Sequence, residues 1–187
     1  GGVYLPPGDY PWYPLTDSLP VLSISGIAVH PDGVDDVYIL TGDGDAQWWG
    51  RGTQPSIGIL HSTDGGASWD TTALKYRLSQ TQAGYKLAMH PGSPDTMFAA
   101  CTDALYRTRD GWNDPTFPFM TTPIDTTCFD FEFKPGSPDT MYAACAGELR
   151  RSYDSGSFFS DITGNLKQFN ITPYSDIGRM AIAVTPD

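Results

Sequence analysis

Four short stretches of the chain place large apolar residues at alternate positions and then stop at a proline. They are ISGIAVH before Pro31, GYKLAMH before Pro91, CFDFEFK before Pro135 and GRMAIAVT before Pro186. Alternation of this kind predicts a buried strand, and the proline after it predicts a turn. The stretches are copies of one another. HPGSPDTMFAAC at His90–Cys101 recurs 44 residues later as KPGSPDTMYAAC at Lys134–Cys145, and a period of that size means stacked copies of one small unit. In the third copy the pattern reads as four strands, CFDFEFK, TMYAAC, ELRRSYD and FFSDIT, separated by turns rich in Pro, Gly, Ser and Asp. The predicted class is all-β: a β-propeller with four-stranded antiparallel blades, each buried on both faces by its neighbours. A parallel β-helix has a shorter repeat, and an immunoglobulin-like sandwich does not repeat its own hairpin.

The copies divide the chain into residues 1–22, an N-terminal extension whose PWYPLTDSLP would supply an outer strand to a closing blade; 23–83, blade 1; 84–127, blade 2; 128–178, blade 3; and 179–187, the first strand of blade 4. About three blades and one strand leave the ring incomplete. The expectation is a piece of a longer protein, or a ring completed by something else.

Composition narrows the partners. A net charge of -11, carried by 20 Asp and only Glu132 and Glu148 on the acidic side, comes with no basic stripe. Nucleic acid and anionic membrane surfaces are poor partners for such a chain. No apolar run is long enough to span a bilayer, and the start GGVYLPPGDYPWYP lacks the basic end and apolar centre of a signal peptide, so direct membrane insertion is not expected and any export signal is read as removed. Three cysteines make no disulfide framework. If the KPGSPD segment is the loop, Phe133 faces Thr140 and Cys128 falls opposite Cys145, which permits a cross-strand bridge; three buried thiols are the competing reading.

Between the third and fourth strands of blade 1 lies Ser62-Thr-Asp64-Gly-Gly66-Ala-Ser-Trp69, an Asp-box. Its carboxylate can accept N–H bonds from a tight turn, its glycines permit positive φ, and its tryptophan packs back on the sheet. Degraded copies follow at Thr108–Trp112, with Pro115 at the Trp position, and at Ser152–Phe159, with Gly156 retained and Phe159 replacing Trp. Asp64, Asp110 and Asp154 stand 46 and 44 residues apart. Three boxes in register define a scaffold and say little about activity.

On these motifs the chain resembles the Asp-box (BNR-type) propellers of sialidases, sortilin-type receptors and xyloglucan-specific endoglucanases. The run SGIAVHPDGVDDVYILTGDGDA, SIGILHSTDGGASWDTT and GRMAIAVTPD looks most like propeller regions of large secreted Bacteroidota proteins that end in a type IX secretion sorting domain. The resemblance implies export and display or release at the cell surface. Sialidase chemistry does not carry over: Arg107 and Arg109 sit in a degraded box, Arg150 and Arg151 in the strand before another, and no Arg-Ile-Pro motif precedes blade 1. The resembled xyloglucan-active enzymes place an acid in a Thr-Asp-x-Gly-Gly segment of the first blade. The comparable Leu40–Asp45, LTGDGD, lacks that signature.

The largest departure from the repeat is TGDGDAQWWGRGTQPS, an insertion of some 16 residues at 41–56 between the second and third strands of blade 1. Asp43, Asp45, Trp48, Trp49 and Arg51 bring acid, aromatic and cation onto one loop, the combination that sugar or peptide binding uses. The plainer reading has the aspartates capping a turn and the tryptophans covering an edge between blades. Asp43 and Asp45, or Asp32, Asp35 and Asp36, supply hard oxygen ligands for calcium, but neither set completes a recognised loop, so no cofactor or metal is assigned. Asp130 and Glu132 place two acids on CFDFEFK, read either as a carboxylate pair lining a central channel or as a solvated strand face. His30 and His90 read as caps of their proline turns. The leading expectation is a non-enzymatic extracellular propeller module acting as scaffold or binding a protein or glycan at the cell surface, or other domains of its own parent protein. The alternatives are part of a glycoside hydrolase whose second acid lies outside the chain, and a sortilin-like peptide receptor.

Overall fold

The computed structural model describes residues 13–45, 52, 54–116, 120–165 and 179–186. Its strands form three four-stranded antiparallel sheets, each in simple chain order. The first holds β1 (Ile24–Val29), β2 (Val37–Thr41), β3 (Gly58–Ser62) and β4 (Asp70–Lys75); the second β5 (Gly84–His90), β6 (Ser93–Cys101), β7 (Leu105–Thr108) and β8 (Met120–Ile124); the third β9 (Cys128–Lys134), β10 (Ser137–Cys145), β11 (Glu148–Ser152) and β12 (Ser160–Asp161). The leading strands line up side by side, β1 on β5 and β5 on β9. Residues 179–186 join no ladder, but the Ile182 N–H donates to Asp130 Oδ2 at 2.8 Å, which seats this segment beside β9. Residues 13–22 likewise form no strand. There the Leu15 carbonyl accepts the Trp69 Nε1–H at 3.0 Å.

β6 shows why alternation becomes continuous burial in a middle sheet. Met97, Ala99 and Cys101 join Tyr38, Leu40, Ile59 and Leu87 in the core between the first and second sheets, while Phe98 and Ala100 join Phe131, Met141 and Phe159 between the second and third. Each large side chain so buried contributes about 1.5–3 kcal/mol. The first sheet lacks such cover on its other side. Ile27 is 66% exposed, whereas Leu87 and Phe131 at the same repeat position are 5% and 0% exposed.

The repeated GSPD segment is an irregular stretch, not a plain hairpin loop. Lys134 pairs with Ser137 and Phe133 with Met141, so Pro138, Asp139 and Thr140 are looped out of register. Phe133 therefore faces Met141 instead of Thr140. β5–β6 has the same form, with His90 opposite Ser93 and Met89 opposite Met97. The bulged aspartate turns its carbonyl to the β3–β4-type turn of its own sheet: Asp35, Asp95 and Asp139 accept from the N–H of Gly65, Gly111 and Ser155 at 2.9, 3.0 and 3.0 Å. A second bulge recurs at the start of each leading strand, where Ser25, Tyr85 and Phe129 are the unpaired residues. In the third sheet it brings Cys128 opposite Cys145, and the two form a disulfide. Cys101 is free and buried, with its thiol pushed up to about 12 by desolvation.

The histidines before the proline turns face an aspartate of the neighbouring sheet. His30 Nε2 lies 3.8 Å from Asp95, and His90 Nε2 lies 3.7 Å from Asp139. His90 Nδ1 accepts the Gly92 N–H at 3.1 Å, which leaves the ring proton on Nε2. Burial holds His90 below its ordinary pKa, against the opposing pull of Asp139. A depressed histidine stabilises the fold fully above the unfolded value of about 6.5 and loses that contribution as pH falls toward its folded pKa. Urea midpoints at pH 7.5 and 5.5 are therefore expected to differ less in His90→Gln than in the parent chain. An unchanged pH dependence would remove His90 from the account.

Candidate functional site

The three Ser-x-Asp turns share one set of bonds. Ser62, Thr108 and Ser152 each donate a side-chain O–H to Asp64, Asp110 or Asp154, at 2.7–2.8 Å, and accept the N–H of the residue four positions on, Gly66, Trp112 and Gly156. Asp64 also accepts from the Ser68 N–H and O–H, and these bonds hold its carboxyl down at about 2. Asp110 and Asp154 accept further turn N–H groups. Each carboxylate is thus taken up by its own hairpin. Trp69 is half-buried under Leu15, Phe159 is buried in the core, and Trp112 stands with φ 64° where the other turns have glycine.

The leading strands begin at one end of the sheets, and the 41–56 insertion opens at that same end. Trp48, Trp49 and Arg51 lie outside the described residues. Asp43 and Gln54 form an antiparallel bridge, N–H to carbonyl in both directions at 2.9 and 3.1 Å, which ties the two ends of the insertion together. Two residues past the bridge the Asp45 N–H donates back to Asp43 Oδ1 at 2.8 Å. Gly44 N–H reaches the Gly84 carbonyl at 3.1 Å, and a Cβ on Gly44 would stand 2.3 Å from the Tyr85 ring. Glycine is required for that approach. Tyr85 sits edge-on to Phe129, ring centroids 5.2 Å apart, so two bulge residues wall the site.

Arg179, from the segment beside β9, pairs with Asp45 Oδ2 at 2.5 Å. Asp45 Oδ1 is buried and has no hydrogen-bond partner among the described residues. Desolvation raises the Asp45 pKa, and Arg179 opposes the rise. Asp43 and Asp45 thus come together with Tyr85 and Arg179. Neither Tyr85 nor Arg179 lies in a motif that marks it as a partner of these acids in the sequence.

A second charged group lies one step along the leading strands. Lys86 Nζ bridges Asp130 Oδ1 at 2.8 Å and Glu132 Oε1 at 2.5 Å, so the two acids of CFDFEFK share one cation. Asp130 is buried and holds Ile182 as well. Lys86 and Asp130 are equivalent positions of adjacent copies, 44 residues apart, and opposite charges in register were a readable signal. Among the described residues no three His, Cys, Asp or Glu side chains converge as a metal site. Asp36 instead bonds His61 Nε2 at 2.7 Å, and His61 stacks on Tyr38 at 4.0 Å.

Comparison with solved structures agrees with this arrangement of sheets. A GH74 enzyme from Niastella koreensis matches with a TM-score of 0.51 at 23% identity, over 75% of this chain and 22% of its own length. A GH74 xyloglucanase from Xanthomonas campestris matches with a TM-score of 0.55 at 15% identity, over 79% of this chain and 24% of its own. The three sheets are blades of a β-propeller. A curated xyloglucanase from Acetivibrio thermocellus is 28% identical over 148 residues, 70% of this chain, and the matched region is 17% of that protein's length. No family model matches the chain.

Proposed function

We propose that these blades belong to an extracellular Asp-box propeller that binds polysaccharide on the end of the sheets where the leading strands begin. The observation that carries the reading is the Asp43–Gly44–Asp45 hairpin. It is the largest departure from the repeat, it is seated on Tyr85, and it is fixed by Arg179 from the segment beside β9. An aromatic wall beside oriented polar groups suits a sugar ring, which offers an apolar face and hydroxyls at its edge. The similarity to a xyloglucanase supports a β-glucan as ligand. The Cys128–Cys145 disulfide supports an oxidising compartment, in keeping with secretion and, from the likeness to Bacteroidota proteins, with a type IX route to the cell surface.

A binding role is favoured over catalysis because acids at this end are engaged by cations: Asp45 pairs with Arg179, and Asp130 and Glu132 share the single charge of Lys86. One observation favours a hydrolase, with its second acid elsewhere in the parent protein. Burial raises the Asp45 pKa, as a general acid requires. Xyloglucan retardation in native affinity gels and a reducing-end assay, run on the full chain and on Asp45→Asn, separate the two. The binding reading expects retardation without sugar release, and at least about tenfold weaker binding in the variant. Release that falls about 10²-fold or more in Asp45→Asn while binding persists would establish the hydrolase. Neither retardation nor release, across xyloglucan and other plant and algal polysaccharides, would reject both.

A further inference from the structure

Between neighbouring blades, at their outer rim, a groove recurs in which the last strands of one blade meet the Ser-x-Asp turn of the next. In the first groove His61, Asp70 and Lys75 face Trp112 and Asn113. In the second, Arg107, Arg109, Met120, Thr121, Thr122 and Pro123 face Ser157 across a cavity of about 560 Å³. The two differ in chemistry at matching positions. His61 is engaged by Asp36, but its counterpart Arg107 has Thr96 where Asp36 would stand. Arg107 and Arg109 instead both donate to one neutral oxygen, Ser157 Oγ, at 2.9 and 3.2 Å.

The two guanidinium groups repel each other, and the one hydroxyl they converge on carries no charge to offset that; Arg107 also lies over the Phe98 ring, 5.9 Å from its centroid. Arg107 is only 5% exposed, and its Nε is buried with no partner among the described residues. Burial and the neighbouring Arg109 lower its pKa to about 10. Asp154 is the acid nearest in effect, yet its oxygens are held by Ser152, Ser157 and Phe158 within its own turn. In a chain of net charge -11, an arginine pair that meets only a neutral hydroxyl within hydrogen-bond distance has the forked donors and the charge that an anion would use. The rest of the wall indicates what carries the anion. Met120 and Pro123 offer an apolar surface and Thr121 and Thr122 offer hydroxyls, and the volume lies within the range that small ligands fill.

We propose that this groove between the second and third blades is a separate subsite for an acidic sugar, the carboxylate of a uronic acid displacing Ser157 as the shared partner of Arg107 and Arg109. It does not depend on the hairpin site, for which the proposed ligand is a neutral sugar.

Titration of the full chain with glucuronate, glucose, acetate and sulfate at constant ionic strength, followed by calorimetry or methyl shifts of Met120, tests it. Glucuronate is expected to bind at least tenfold more tightly than acetate or sulfate, glucose not at all. Arg109→Ala, an exposed substitution, is expected to weaken glucuronate at least tenfold. Arg107→Lys keeps a charge in place while losing the forked donor, and is expected to do the same. Equal affinity for glucuronate and acetate, or glucuronate binding indifferent to both substitutions, overturns the proposal. So does no binding by a chain whose melting midpoint shows it folded.

Discussion

Trp112→Ala is expected to cost about 3–5 kcal/mol, the usual loss when a fully buried aromatic is truncated, and to lower the melting midpoint by on the order of 10 °C. Trp112 is 0% exposed and packs with Tyr38, Leu40, Ile59 and Met97 between the first two blades. Its carbonyl also accepts the Ala73 N–H at 2.8 Å, so one residue links the outer strand of one blade to the turn of the next. Two further substitutions separate packing from backbone strain. Gly replaces Trp112 at the matching Gly66 and Gly156, and φ 64° is costly for any residue with a Cβ. Trp112→Gly should therefore be more stable than Trp112→Ala by about 1 kcal/mol, the reverse of the usual order. Trp112→Phe should be the mildest, because Trp112 Nε1 has no hydrogen-bond partner among the described residues. Chemical denaturation of the three variants checks the ranking, and Ala at or above Gly would refute the strain argument.

Removing the Cys128–Cys145 bridge is the second large effect. It closes a loop with a sequence separation of 17, and loop-closure entropy gives about 3 kcal/mol for that length. The double change Cys128→Ser and Cys145→Ser leaves no stray thiol, and its denaturation midpoint should match that of the parent chain under reductant. The buried, high-pKa Cys101 should not contribute to the difference. A midpoint unmoved by either treatment would mean that the third blade is held by its core alone. The bridge ties the leading strand of that blade, which carries Asp130 and Glu132, to the next, so hydrogen exchange in β9 should rise with its loss.

The architecture was legible because a repeat writes its pattern several times. Apolar alternation, the GSPD segment and the Ser-x-Asp turns each marked the same boundaries. The register was less legible. Bulges have no strong sequence signature, so the pairing of Phe133 came out one residue off, and a further bulge at Phe129 then returned Cys128 to Cys145. The hairpin acids are readable as an insertion, but the partner of Asp45 is Arg179, contributed by a segment beside β9 that lies far off in sequence. Such a partner is fixed by how distant segments pack together and not by local pattern. In the sequence Arg107 and Arg109 belong to a degraded turn. Their convergence on Ser157 depends on how the second blade sits against the third, which a single blade's sequence does not encode.

The central claim is that ligand recognition lies at the Asp43–Asp45 hairpin. Hydrogen exchange read by mass spectrometry on the full chain, with and without xyloglucan oligosaccharide, tests it most directly. The account predicts slowed exchange in peptides covering 41–56, 84–86 and 179–182, with the Ser-x-Asp turns unchanged. Protection confined to the turns or the outer strands, or none at saturating oligosaccharide, would contradict it.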